Sequence, residues 1–341
     1  VGTRPTEMSM AISCQGCGLA YVGGRGASGV FAQRRRIADP RHWRLLRDVR
    51  RFQKAALSLV RHLPDSPETY GEFLRREGFG SRFVQHYALP IVACVWSSGS
   101  RDALDYPAAY LFAFLRHHGF LTLGDAPQWQ VVDGGSRTYV DRIRATLPDV
   151  RTGSDVVSVA RKADCVVLTD DRGHESRFDQ VILAGHADES LRILSDPTDE
   201  EFEVLGAFNY TRNLTQLHTD DTALSPHRAE RASWNFRMEH CDESTEEVQV
   251  SYWMNRLQHH PESAPLVVTL NGARRVEPTS VFATMEYAHP LYTQDAVAAQ
   301  RRLPGLNGDR TAFAGAYHGW GFHEDGCRSG VAAAEHFGAV W

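Results

Sequence analysis

Between Thr311 and Gly338 the chain reads TAFAGAYHGWGFHEDGCRSGVAAAEHFG: a short apolar strand, a turn punctuated by Gly315, Gly319 and Gly321, and a helix of small residues. A strand that runs through glycines straight into a helix presents helical amides, here around Asp325 to Arg328, to whatever occupies the turn. Such a turn favours a carbonyl or an anionic group. The glycines let backbone approach a ligand closely, while Gly330, Ala332, Ala333 and Ala334 let the helix lie tight against a sheet. The same pattern also suits the end of an ordinary crossover.

Upstream, two patterns alternate. Pro40 to Leu63 predicts a long helix with a stripe of Trp43, Leu46, Val49, Phe52, Ala56, Leu59 and Leu63. Its other face carries Arg41, Arg44, Arg47, Arg50, Arg51, Lys54 and Arg61, a basic surface that suits either solvent or an anionic membrane. Further helices are expected over Glu68 to Gly78 and Ala108 to Leu115, the latter after Asp105-Tyr106-Pro107, and these helices are expected to wall an apolar cavity. From Val150 the period changes. VVSVARK, CVVLTDD and FDQVILA predict a β-meander, with Val181 to Ala184 returning to a sheet as a buried strand. TRNLTQLHTD, RASWNFRM, EVQVSYWMNRL and PLVVTLN predict an antiparallel sheet, in which Val248, Val250 and Tyr252 share one face and Gln249, Ser251 and Trp253 the other.

The 341 residues, 42% hydrophobic and 23% charged, suffice for two domains and a large core, which excludes a disordered chain. A net charge of -5 gives no reason to expect nucleic acid, and no apolar run reaches the length of a membrane span. The first residues lack the continuous apolar core of a signal peptide. Six cysteines, at 14, 17, 94, 165, 241 and 327, form no disulfide framework and suit a reducing compartment, so a cytoplasmic protein is expected. Cys14 and Cys17 make a C-x-x-C, the pattern of a redox pair or of half a zinc site. No second pair at finger spacing and no histidine motif completes it, so it is read as coincidence and no metal is expected.

The segment GWGFHEDGCRSG resembles the C-terminal flavin motif of the amine-oxidase-like FAD flavoproteins, in particular the bacterial branch of predicted NAD/FAD-binding proteins often associated with cyclopropane fatty-acyl synthase-type enzymes. DGGSRTYVDRI, FDQVILAGHAD, HTD at 218 to 220, ASWNF, YWMNRLQ and EYAHPLY extend the resemblance over nearly the whole chain. It implies an α/β fold: a Rossmann-like FAD/NAD(P)-binding domain over 128–190 and 304–341, and an α+β substrate domain of antiparallel sheet and helices over 1–127 and 191–303. It places Gly315 and Gly321, Phe322, His323, Glu324, Asp325 and Gly326 beside the flavin, and Val156 near the adenine. It also implies that aromatic residues of the sheet line the substrate cavity, with Trp234, Tyr252, Trp253, Tyr287 and Tyr317 nominated by position.

Members of that family open with a βαβ unit carrying a glycine fingerprint. Here the one formal match, Gly24 to Gly29 in GGRGASG, follows only the short run Leu19 to Val22 and leads into FAQRRRIADP without a crossover helix, so it is read as a glycine-rich loop. The resemblance therefore implies a chain that starts inside its family's fold, with weakened FAD affinity. Many amine oxidases also place a lysine near the flavin, and the two lysines here, Lys54 and Lys162, are not well placed for that. No catalytic residue is assigned; His218, His289 and His323 are candidates for handling a proton. The reading is an FAD-dependent oxidoreductase acting by hydride transfer on an apolar, lipid-like small molecule, with peripheral membrane contact through the basic helix 41–61. The alternative is a non-catalytic or truncated flavoprotein remnant that acts as an interaction subunit or a membrane-surface lipid-binding protein.

Overall fold

Period-two sequence in the first and middle parts of the chain builds one large sheet in a computed structural model that describes residues 1–97, 99–122, 127–241, 249–273 and 275–340. Its strands run in the order Val281–Leu291, Asn209–His218, Val267–Leu270, Val250–Trp253, Trp234–Met238, Met10–Cys14, Leu19–Gly23. The expected antiparallel pairing holds for the strands of the middle block, but Met10–Cys14 joins Trp234–Met238 in parallel, so the sheet is mixed. The chain divides into two compact units, Val1–Thr146 with Thr211–His289, and Leu147–Tyr210 with Pro290–Trp341. Residues 128–146, read as part of the cofactor domain, belong to the first unit, and 191–210 and 290–303 to the second.

The first unit's helices pack around one ring. Pro40–His62 starts on Asp39, whose carboxylate accepts the Arg41 N–H, with Pro40 in the first turn. Tyr70–Arg76 starts on a reciprocal Thr69/Glu72 capping box. Phe52, fully buried, lies with its ring centroid 5.4 to 6.2 Å from those of Tyr70, Phe73, Phe79, Phe83, Tyr87 and Phe112. These helices therefore fill their own interior with aromatic contacts, where the sequence suggested walls around a cavity. The long helix is also rotated in its first turns. His42 and Leu45 are buried, whereas Trp43 is 51% exposed with its indole N–H donating to Ile37 O. An imidazole can take the inward place because its Nε2 meets the Val30 carbonyl at 2.9 Å. Among the described residues no helix is long and apolar enough to cross a membrane.

In the second unit, Val156–Arg161, Val166–Asp170 and Glu175–Phe178 form the meander. Its third strand is the polar ESRF segment. The run expected there, Val181–Leu183, instead pairs in parallel with Thr311–Phe313 as a separate two-stranded sheet, as a returning strand should, though Ile182 is 38% exposed. A core of Val159, Val166, Leu183, Leu194, Val204, Leu205, Phe208 and Phe313 binds these strands to the helices Ala187–Ile193, Asp199–Gly206 and Gln294–Gln300. The buried Glu201 carboxylate receives the Arg161 guanidinium at 2.6 Å and caps the helix it belongs to.

Candidate active site

The strand Thr311–Phe313 leaves its sheet with Ala314 N–H donating to Leu183 O at 2.9 Å. At Gly315 (φ +155) a Cβ would sit 2.5 Å from the Tyr317 ring, so only glycine lets the chain turn there. Ala316–His318 forms a single tight turn, and the helix His323–His336 follows. Asp325 organises the connection. One carboxylate oxygen accepts the Trp320 and Phe322 N–H groups at 3.0 and 3.1 Å, and the other accepts from Arg328 at 2.9 Å. A Cβ on Gly319 would come within 2.1 Å of that carboxylate. Gln300 donates to the carbonyls of Tyr317 and Gly319, and the Ser329 hydroxyl donates to the Gly315 and Gly326 carbonyls and accepts the Gly315 N–H.

Of the residues nominated for the cofactor, Gly315, Gly321, Phe322, His323, Glu324 and Gly326 thus border one turn, and His323 and Glu324 are exposed. Asp325 points inward and holds the turn in shape. Val156 lies in the meander, 37% exposed, opposite Asp170. Tyr317, nominated for the substrate cavity, sits in the second unit's core, 3% exposed, edge-on to Phe208 at 5.2 Å. The sequence did not single out His318, Gln300 or Ser329. Burial pushes the His318 imidazole down to about 4, so it is neutral at physiological pH.

Two buried polar atoms here, Tyr317 Oη and His318 Nε2, have no hydrogen-bond partner among the described residues. Leaving such groups unmade costs about 1–3 kcal/mol each. A ligand edge that carries carbonyl and amide-type groups would supply the missing partners, so the turn fits the polar edge of an isoalloxazine. The glycine loop Gly24–Gly29 offers no matching phosphate cradle. It lies in the first unit, after the sheet's edge strand Leu19–Gly23, and opens a helix of only five residues, Gly26–Val30.

The aromatic nominees of the first unit divide between the two faces of its sheet. Trp234 and Tyr252 stand directly opposite across adjacent strands, with ring centroids 5.8 Å apart and edge to face. With Met10, Phe236 and Val250 they form an apolar surface against Ala93 and Cys94. Trp253 points the other way, buried with Leu224 and Val267, its indole N–H donating to Asn255. Tyr287 is 48% exposed on the edge strand, and Val248 falls outside the described residues. A polar cleft of about 330 Å³ lined by Thr222, Arg237, Glu239, Gln249 and Arg275 opens on the Trp253 face, opposite the aromatic pair.

Two of the three candidate histidines, His218 and His289, are tied into the first unit's sheet. The buried His218 Nε2 meets Thr269 Oγ1 at 2.7 Å, which contacts Ser251 at 2.9 Å, and burial lowers its pKa against the opposing effect of Asp220. Asn213 donates to His289 Nδ1 at 3.0 Å. Lys54 and Lys162 are both exposed. Cys14 and Cys17 gain neighbours that sequence could not supply, because His86 and Cys241 lie 69 and 227 positions away from them. All six cysteines are free thiols.

The model of the family described as flavin containing amine oxidoreductase matches residues 31–336. Among solved structures, a putrescine oxidase with redesigned cofactor binding superposes with a TM-score of 0.62 at 12% identity, over 99% of this chain and 83% of that one. Cyclohexylamine oxidase from Brevibacterium oxydans IH-35A gives 0.62 at 12% identity over 99% and 82%. A CLA-producing fatty acid isomerase from P. acnes gives 0.60 at 15% identity over 98% and 81%. At these identities the likeness is one of fold. No curated protein matches the sequence.

Proposed function

The chain belongs to the flavin containing amine oxidoreductases, and from that premise we propose that it removes a hydride from a small, apolar, lipid-like substrate. Membership makes the protein an FAD-dependent oxidoreductase. When bound, FAD supplies the hydride acceptor. The chain's own residues then have to bind, orient and exclude water. The observation that carries the cofactor's placement is the turn Gly315–Phe322, closed by Asp325 and Gln300, with Tyr317 Oη and His318 Nε2 left for a ligand. A neutral His318 can exchange a hydrogen bond at Nε2 with a neutral ring edge without placing a charge beside it.

An apolar substrate is supported by the Trp234/Tyr252 surface with Met10 and Phe236. The folds named for amines and for a fatty acid are equally similar, so the choice between them rests on this surface. A lipid-like substrate also suits the basic helix Pro40–His62, where exposed Trp43 lies among Arg41, Arg44 and Arg47 and supports contact with an anionic membrane surface.

The test is anaerobic flavin bleaching in the full-length protein. Its absorbance between roughly 350 and 500 nm should show oxidised flavin. Long-chain amines or fatty acyl compounds should bleach it, and short diamines should not. Bleaching by the diamines alone would overturn the apolar assignment, and a colourless protein that takes up no FAD would overturn the placement of the cofactor.

A further inference from the structure

Four side chains from three distant stretches of the first unit converge on one point. Cys14 closes the strand Met10–Cys14, and the tight turn after it, with Gly18 at φ +62, brings Cys17 back beside it. The parallel strand Trp234–Met238 ends in register with Cys14, and its continuation is clamped by Gln15 N–H to Met238 O at 2.9 Å and Gly16 N–H to Glu239 O at 2.8 Å. A Cβ on Gly16 would stand 3.1 Å from that Glu239 oxygen, so glycine permits this approach. Cys241 follows and returns its sulfur to 3.7 Å from Cys14 Sγ. His86 arrives from the π-helical turn Val84–Ala88, its Nε2 3.5 Å from Cys17 Sγ. A π-turn wedges an extra residue into a helix and recurs at functional sites.

The geometry has the dimensions of a metal's coordination shell. The four donor atoms all lie within 4.8 Å of one another. Zinc bonds of about 2.3 Å to sulfur and about 2.0–2.1 Å to nitrogen require tetrahedral edges of about 3.7 Å between sulfurs and about 3.5 Å between sulfur and nitrogen. The distances from Cys14 to Cys241 and from Cys17 to His86 match those two edges. His86 is also set in the metal-binding tautomer. Its Nδ1–H donates to the Arg82 carbonyl at 3.0 Å, which leaves the Nε2 lone pair facing the thiols, the second-shell arrangement that orients histidine ligands. Three thiolates, one imidazole and a dication carry one net negative charge. Arg36, which also pairs with Asp39 at 2.8 Å, brings a guanidinium close by donating to the carbonyls of Cys17 and Gly18 at 3.3 and 2.6 Å.

We propose that Cys14, Cys17, His86 and Cys241 bind one zinc ion in a closed, structural Cys₃His site. Soft thiolates select zinc over hard cations, and four protein ligands leave no open position for chemistry. The ion replaces the thiol protons, which pass to solvent, and ties the hairpin Met10–Gly23, the end of Trp234–Met238 and the π-turn into one node.

The experiment is elemental analysis of the full chain, purified without a metal-affinity tag and washed with chelator, followed by X-ray absorption at the zinc edge. The expected result is about one zinc per chain with three sulfurs and one nitrogen in its shell. Cys17→Ser and Cys241→Ser should each lower zinc retention by about tenfold or more, His86→Ala likewise, while His86→Cys and Cys165→Ser retain it. A folded wild-type protein that holds no zinc and takes up none from zinc chloride would overturn the proposal whether or not the variants fold. So would a Cys14–Cys241 disulfide, a shell of oxygens, or iron or copper held in zinc's place.

Discussion

Phe52 organises the helices of the first unit and Asp325 the glycine turn of the second, and they work by opposite physics. Phe52 holds six aromatic rings at 5.4 to 6.2 Å through apolar contacts, most of them edge to face, that use no hydrogen bond. Asp325 holds Trp320 N, Phe322 N and Arg328 through hydrogen bonds that fix a single shape. The first arrangement is complete in itself. The second shapes a turn whose neighbours Tyr317 and His318 still lack partners among the described residues. A ligand that supplies those partners stabilises the folded state by mass action, so the second unit should respond to cofactor and the first should not.

The largest expected effect tests the apolar centre. Phe52→Ala should cost about 3–5 kcal/mol in urea unfolding, because it removes the ring that the other six pack against. A loss below about 1.5 kcal/mol, the range of tolerated volume-conserving swaps, would show that the helices collapse around the gap and that the centre is not what it appears. Next comes acid. His318 is displaced from 6.5 in the unfolded chain to about 4 by burial, a depressed value, so its contribution is fully present above about pH 6.5 and is lost as pH falls toward 4. The full span corresponds to about 3 kcal/mol. His318→Asn should flatten the unfolding profile across that window, and an unchanged profile would mean that the ring is hydrated.

Asp325→Ala should follow at about 2–3 kcal/mol, since it strands two backbone N–H groups, and it should lower flavin retention about tenfold or more. Asp325→Asn separates shape from charge. Its one oxygen can accept both N–H groups, so flavin should be largely retained, and equal losses in the two variants would assign the effect to charge.

Much of this contrast could be read from the chain, and the parts that could not depend on pairings and partners outside the local pattern. Glycine spacing gave the strand, turn and helix of Thr311–His336, and alternation gave the strands around Trp234 and Tyr252, because both signals are local. Glu175–Phe178 was missed because its residues are polar and it is a strand by pairing alone. Met10–Cys14 joins the sheet through a parallel contact more than two hundred residues away, and the same contact delivers Cys241 to Cys14. Trp43 looked like core and His42 did not, since apolar periodicity takes no account of a buried imidazole that has a carbonyl to bond. The alternation that sets Tyr252 and Trp253 on opposite faces was legible, and the two rings do pack into different clusters, so they cannot line one cavity on one face of the sheet. At the site, Gly321 and Asp325 stand out in the sequence, whereas Gln300 reaches the turn from another helix and leaves no local mark.

The smallest expected effect on folding lies on the helix Pro40–His62, whose outer face belongs to neither arrangement. Arg44, Arg47 and Arg50 are exposed and none appears among the described salt bridges, so each Arg→Glu reversal should change unfolding by less than about 0.5 kcal/mol. The same reversals should act strongly on a surface reading of that face. Each basic residue near an anionic bilayer contributes about 1 kcal/mol, and a reversal both removes that attraction and adds repulsion. Retention on phosphatidylserine vesicles at low salt should therefore fall more than fivefold per reversal, with no matching change on neutral vesicles. If the triple variant binds anionic vesicles as the unmodified protein does, the basic face is only a solvated one. The exposed Trp43 would then be explained by its bond to Ile37 and its packing on Phe31 alone.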